Sequence, residues 1–237
     1  GLKMRGGELT TELAIVCLVE KKLDLSELDQ DDAIPSRLDD VPTDVQESPM
    51  LQPFTTDPSQ LQTSVRPLVG GLQVQLTRTN NTTVNGTLGF IGNFNGIMVA
   101  VSNQHVMTPS GTTVFQPANS KNQNIGTVTL EVLSQDVDAA YVLLLSGASG
   151  QTSVEFSNGN GYAPVRVAGS YSPGLSDLPY PGWKTGRTTG TTRGQITALN
   201  LRGTRGDDGW QFVNQLLIQN TDGGPFSQPG DSGSAVL

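Results

Sequence analysis

Cysteine is nearly missing from this chain of 237 residues: Cys17 stands alone, so no intrachain disulfide can form. A scaffold stapled by several bridges is thereby excluded. A reducing compartment or a bacterial source is favoured, with secretion left open. Long apolar runs are missing too, since no stretch approaches the roughly 18 residues of a membrane-spanning helix, and no cleavable leader is visible. Charge is sparse and lopsided: residues 1–50 hold twelve of the 22 acidic groups and five of the 14 basic ones, so nearly all of the net −8 lies there. A front segment of that sign repels nucleic acid, and neither a nucleic-acid nor a membrane partner is expected. No acidic run has the spacing of an EF-hand loop, and the bland reading of those acids is a solvated face. Neither a metal nor a cofactor is expected. Histidine is as scarce as cysteine: the chain has one, His105.

What is abundant is glycine, 28 residues of it, set with Thr and Asn in turns between short apolar runs. That pattern predicts a mainly β protein. Residues 1–47 read as an acidic α/β segment. Its run Leu13-Ala14-Ile15-Val16-Cys17-Leu18-Val19 is expected to be a strand buried on both faces, with Cys17 in the core. A helical turn or two is expected over Leu25 to Asp32, capped by Asp24, and a second strand at Val41, Thr43 and Val45. Residues 48–66, with Pro49, Pro53 and Pro58, read as an extended linker.

Short strands then follow one another. Leu72 to Leu76 alternates apolar and polar, and Asn95-Gly96 is a hairpin turn between the strand starting near Gly86 and Ile97 to Val101. With Ile125 to Leu130 and Ala139 to Leu145 these are expected to belong to a six-stranded antiparallel barrel over 67–160. Strands near Val165, Trp183 to Gly186, Gly194 to Leu201 and Val213 to Gln219 begin a second barrel over 161–237.

Against this background Gly230-Asp231-Ser232-Gly233-Ser234 stands out. Glycines flanking a serine let the backbone turn tightly and bare its N–H groups around the hydroxyl. A serine hydroxyl is a weak nucleophile without a base, and His105 can be that base. It lies just past the apolar run ending at Val101, where a loop leaves a strand. Asp138, in Asp136-Val137-Asp138-Ala139-Ala140, can orient the imidazole; Asp136, on the same strand face, competes for that role. The bland readings are a turn serine and a satisfied polar histidine. The order His, Asp, Ser differs from that of subtilisins and α/β-hydrolases, and Ser234 breaks the G-x-S-x-G elbow.

Asn103-Gln104-His105-Val106, Asp138-Ala139-Ala140 and Gly230-Asp231-Ser232-Gly233-Ser234 resemble the three catalytic blocks of trypsin-like serine peptidases. Lys184-Thr185-Gly186-Arg187-Thr188-Thr189-Gly190 with Gly194-Gln195-Ile196 is similar to a strand-turn-strand of bacterial members. The resemblance runs from Arg66 to Leu237. It implies two six-stranded barrels of chymotrypsin type and an endopeptidase with a polypeptide substrate. His105 is then the base, Asp138 its partner, Ser232 the nucleophile, and the Gly230 and Ser232 N–H groups the oxyanion hole. It further implies that Asp231 pairs with a buried donor, and that Phe226, six residues before the nucleophile, forms the base of the specificity pocket. Arg187 and Arg193 read as structural rather than substrate-binding. Relatives of this kind continue beyond the serine, so the second barrel is expected to be incomplete in residues 1–237. A C-terminal segment outside this sequence, or a second chain, would complete it. Two other readings stay open: an idle peptidase fold acting as an interaction or regulatory module, and a protease that processes its own chain.

Overall fold

The structure, a computed structural model, describes residues 1–19, 21–28, 32–47, 57–157, 161–204, 209–221 and 223–237. It is built from strands, with short 3₁₀ turns and no α-helix among the described residues. No helix there is long and apolar enough to cross a membrane.

In the acidic segment β1 (Leu2–Arg5) and β2 (Glu8–Leu13) form a hairpin. The chain kinks at Ala14 into β3 (Ile15–Val19), followed by β4 (Arg37–Leu38) and β5 (Val41–Glu47). β3 runs parallel to β5, and β4 is antiparallel to it. The α/β expectation is corrected here. The helical stretch shrinks to a 3₁₀ turn at Leu25–Glu27, its Asp24 N–H bonded to the Glu27 carboxylate at 3.2 Å; residues 29–31 of that stretch lie outside the described ones. Three residues fall short of the nucleus that a stable helix needs. Nor is β3 buried on both faces. It is the outer strand of its sheet, so Ile15 and Leu18 are exposed and Cys17 is only half-buried. The segment docks on the far half of the molecule through Gln46, whose buried amide donates to Leu2 O and accepts from Gln219 Nε2 at 2.9 Å. Of the expected linker, residues 48–56 lie outside the described residues.

After β6 (Leu68–Gly70) come β7 (Gln73–Thr77), β8 (Thr83–Thr87), β9 (Phe90–Phe94), β10 (Ile97–Ser102), β11 (Thr113–Phe115), β12 (Asn124–Leu133) and β13 (Asp138–Leu144). The last seven form one antiparallel sheet in the order β8-β7-β11-β12-β13-β10-β9. The two end strands are consecutive in the chain. Between them Leu88 N–H bonds Leu72 O and Gly89 N–H bonds Val101 O, so a single bent strand joins both ends and the sheet curls round on itself. This accounts for seven strands where six were expected. Alternate residues of these strands point inward and pack Val74, Leu76, Ile91, Ala100, Val128 and Val142 into one apolar core. The β9–β10 turn is the expected Asn95-Gly96, with both residues at positive φ (52° and 84°), as a type I′ hairpin requires.

The remaining strands are β14 (Gly150–Ser157), β15 (Tyr162–Arg166), β16 (Tyr180–Gly186), β17 (Gly190–Thr204) and β18 (Gln211–Asn220). They do not make one closed barrel. β15 and β14 pair with each other and, through β14, in parallel with β6; β16, β17 and β18 form a separate three-stranded sheet. Position 160 falls between β14 and β15, the two strands of one hairpin.

Candidate active site

Strand register explains why His105 and Asp138 meet. β10 and β13 are neighbours with Ser102 opposite Ala140, so Asp138, two residues back along β13, comes level with the chain as it leaves β10. There residues 103–107 form a single turn, with Met107 N–H bonded to Asn103 O at 3.0 Å. The Asp138 carboxylate accepts the His105 backbone N–H through Oδ1 at 3.1 Å and bonds the ring Nδ1 through Oδ2. Asn103 Nδ2 donates to the Asp138 carbonyl at 2.6 Å. Burial pushes the Asp138 carboxyl up, but the His105 ring and backbone bonds outweigh it and hold the group below the ordinary carboxylate range. Asp136 goes elsewhere: it accepts from Asn214 Nδ2 and ties this loop to β18.

The Ser232 loop is held by two hubs, of which the sequence announced only the second. One is Thr87, fully buried at the end of β8. Its N–H donates to Ser232 O at 2.8 Å and its hydroxyl to Gly230 O at 2.9 Å. That hydroxyl also accepts Arg187 N–H, and the Thr87 carbonyl accepts the Ser102 hydroxyl. Thr87 thus binds the serine loop to the strand end that carries His105. Gly233 sits at φ +99°, where an added Cβ would lie 2.1 Å from both Ser102 Oγ and Thr87 O. Only glycine fits that approach.

The second hub is Asp231, 2 % exposed. Its carboxylate accepts Thr188 N–H (2.9 Å), Thr189 N–H (3.1 Å), the Thr189 hydroxyl (2.7 Å), Gln228 N–H (3.0 Å) and the Lys184 ammonium (3.1 Å). Lys184, also 2 % exposed, comes from the middle of β16 and bonds the Thr189 hydroxyl as well. The buried donor expected beside Asp231 is therefore Lys184. Burial pushes the Asp231 carboxyl up, and its charged partner and four hydrogen bonds bring it below the ordinary carboxylate range. Burial pushes the Lys184 ammonium down, against the opposing pull of the Asp231 charge and hydrogen bond.

Around this frame the other expected residues fall as follows. The N–H groups of Gly230 (φ +99°) and Ser232 have no acceptor among the described residues, and the Ser232 hydroxyl has no hydrogen bond there. The Phe226 carbonyl accepts from Thr192 Oγ1 at 2.7 Å, and its ring lies 5.9 Å from Lys184 Nζ and packs beside Gly194. Arg187 Nε donates to Gln73 at 2.6 Å and Arg193 stacks on Phe156, both structural contacts. A cleft of about 660 Å³ opens beside Asp138, walled by Val137, Trp210, Phe212 and Leu216. Among the described residues no group of His, Cys, Asp and Glu is placed to hold a metal.

No protein-family model matches the chain, and no curated protein matches its sequence. Its architecture is similar to solved bacterial structures. Nocardiopsis protease is 25% identical with a TM-score of 0.54, the match covering 71% of this chain and 77% of that one. Thermobifida fusca protease A is 19% identical at TM-score 0.54, covering 71% and 76%. A glutamic acid-specific serine protease that uses a histidine triad in substrate binding is 21% identical at TM-score 0.55, covering 72% and 79%. Over about seven-tenths of its length, the chain has the chymotrypsin fold of bacterial serine proteases.

Proposed function

We propose that this protein is a serine endopeptidase that cleaves polypeptides through an acyl-enzyme intermediate. The observation that carries the reading is the pairing of the sole histidine with Asp138 beside an anchored Gly-Asp-Ser-Gly loop whose two key N–H groups have no acceptor among the described residues. Ser232 attacks the carbonyl while His105 takes its proton and returns it to the leaving amine. Asp138 holds the tautomer and stabilises the imidazolium. The Gly230 and Ser232 N–H groups receive the developing oxyanion, each worth about 3 kcal/mol. The apolar cleft beside Asp138 suits an extended peptide with non-polar side chains. Glutamate recognition by a histidine triad has no counterpart here, since the one histidine is engaged with Asp138. Phe226 contributes at most a wall of the primary pocket.

One observation favours an idle peptidase fold that serves as a binding module: the Ser232 hydroxyl makes no hydrogen bond to His105. Catalytic hydrogen bonds often tighten only when substrate is bound, so a covalent probe decides between the readings. A fluorophosphonate should label Ser232 of the wild-type chain and fail on Ser232→Ala and His105→Ala. A folded wild-type chain that takes no label, or takes it elsewhere, overturns the peptidase reading.

A further inference from the structure

The His105 peptide is gripped at both ends, and one grip comes from a residue outside the triad. Arg78 directly follows β7, where its N–H donates to Thr82 O and its carbonyl accepts Asn81 N–H, each at 2.9 Å. Asn81 is at φ +63°, so the β7–β8 turn is tight and fixes the Arg78 backbone. From there the side chain crosses to the catalytic loop, and Nη2 donates to the His105 carbonyl at 2.7 Å. No carboxylate forms an ion pair with Arg78 among the described residues, so ion pairing does not explain its place. Its Nε–H is buried with no acceptor, an arrangement that costs free energy. What the guanidinium gains is a charge-assisted bond, roughly twice as strong as a neutral one, to that single carbonyl.

We propose, on the peptidase reading above, that Arg78 is a positioning residue for the base. Asp138 holds the His105 N–H and the ring from the β13 side; Arg78 holds the carbonyl from the β7 side. With both, the residue is fixed. With Asp138 alone, the 103–107 turn pivots on that carboxylate and the imidazole moves relative to Ser232. A displacement on the order of 1 Å at such a position costs roughly 10²-fold in rate.

The experiment compares Arg78→Ala, Arg78→Lys and wild type, each with its thermal melt. Two readouts are taken: the rate of fluorophosphonate labelling, and the hydrogen-bonded Nδ1 proton of the imidazole by NMR. The second needs no activity and no assignment, because the chain has one histidine. Arg78→Ala is expected to melt cooperatively, to label 10- to 100-fold more slowly, and to broaden the Nδ1 proton. Arg78→Lys, or millimolar guanidinium added to the alanine variant, should restore most of both. Wild-type rate and a sharp proton in Arg78→Ala overturn the proposal, as does a slow rate with the proton unchanged. If the wild type takes no label, the peptidase reading has failed and the proton decides alone: broadening in Arg78→Ala supports Arg78, no change overturns it. If the alanine variant does not fold, Arg78→Lys decides, since a folded lysine variant with a broadened proton that guanidinium does not sharpen overturns the proposal.

Discussion

The side chains buried in the first half, between Leu68 and Val142, are mostly Leu, Val, Ile, Ala and Met. In the second half the buried residues read Ser153, Glu155, Ser157, Lys184, Thr185, Thr192, Thr197 and Asp231, with Val154, Ile196 and Ala198 among them. The first half carries His105 and Asp138 at the edge of an apolar core packed by a curled sheet, and its directional bonds are the few that join these two residues to Asn103 and Arg78. The second half holds Ser232 by directional bonds, five of them on one carboxylate. Apolar packing tolerates small losses of volume gradually. A buried polar network fails more abruptly, because each lost partner leaves another group unpaired.

Variants that strike one half and then the other test this contrast. Asp138→Asn should cost about 10⁴-fold in turnover by favouring the wrong tautomer, with little change in melting temperature, while Asp136→Asn should stay near wild type. Equal losses in steady-state assays of the two would show that the orienting carboxylate has been misassigned. Lys184→Met leaves Asp231 buried without its counter-charge, at about 3–5 kcal/mol, a drop on the order of 10 °C in the melt, and should lose activity as well. Ile91→Ala in the first core should cost about 2–5 kcal/mol, yet molecules that remain folded should label at the wild-type rate. Should the reactivity of the two variants fall together, the division of labour between the halves is wrong.

Acid should expose the same difference. The folded Asp231 carboxyl lies below its ordinary value, so its contribution to stability is present above the unfolded carboxylate value. It is lost as pH falls through the folded one. Urea melts of wild type should therefore weaken on acidification, and those of a Lys184→Met/Asp231→Leu double variant should weaken less. The smallest effect concerns Glu155, buried in β14 with one oxygen unbonded and its carboxyl raised by burial. A raised carboxyl lowers stability as pH climbs through the unfolded value towards the folded one. Glu155→Gln should thus be more stable than wild type at pH 8 and equal to it well below pH 4, by denaturant melts at the two pH values.

Much of the first half was legible because its signals are local. Period-two alternation marked β7, and Asn95-Gly96 marked the β9–β10 hairpin. The meeting of His105 with Asp138 follows once β10 and β13 are neighbours. β14 was missed because Gly-Gln-Thr-Ser-Val-Glu-Phe-Ser reads as a polar loop; a strand with a polar interior has no apolar signature. The α/β reading of the front segment failed because acidic residues near a cap resemble a helix start, while too few residues follow to propagate one. Thr87 was invisible for another reason: its partners Arg187, Gly230 and Ser232 are more than 90 residues away in the chain, and nothing in a threonine announces such bonds. Lys184 was quoted within a motif, but a lysine beside a tryptophan in a strand reads as surface until tertiary structure buries it.

That buried lysine turns the molecule into its own unfolding clock. Of the five lysines, Lys3, Lys21, Lys22, Lys121 and Lys184, only Lys184 is sealed from solvent together with its counter-ion. An amine-acylating reagent should modify the native protein quickly at the first four and leave the fifth untouched. It reaches Lys184 when the serine loop lets go of β16. Peptide mapping of that one acylation over time therefore reads the opening of the serine loop directly, without substrate and without a probe for the serine itself.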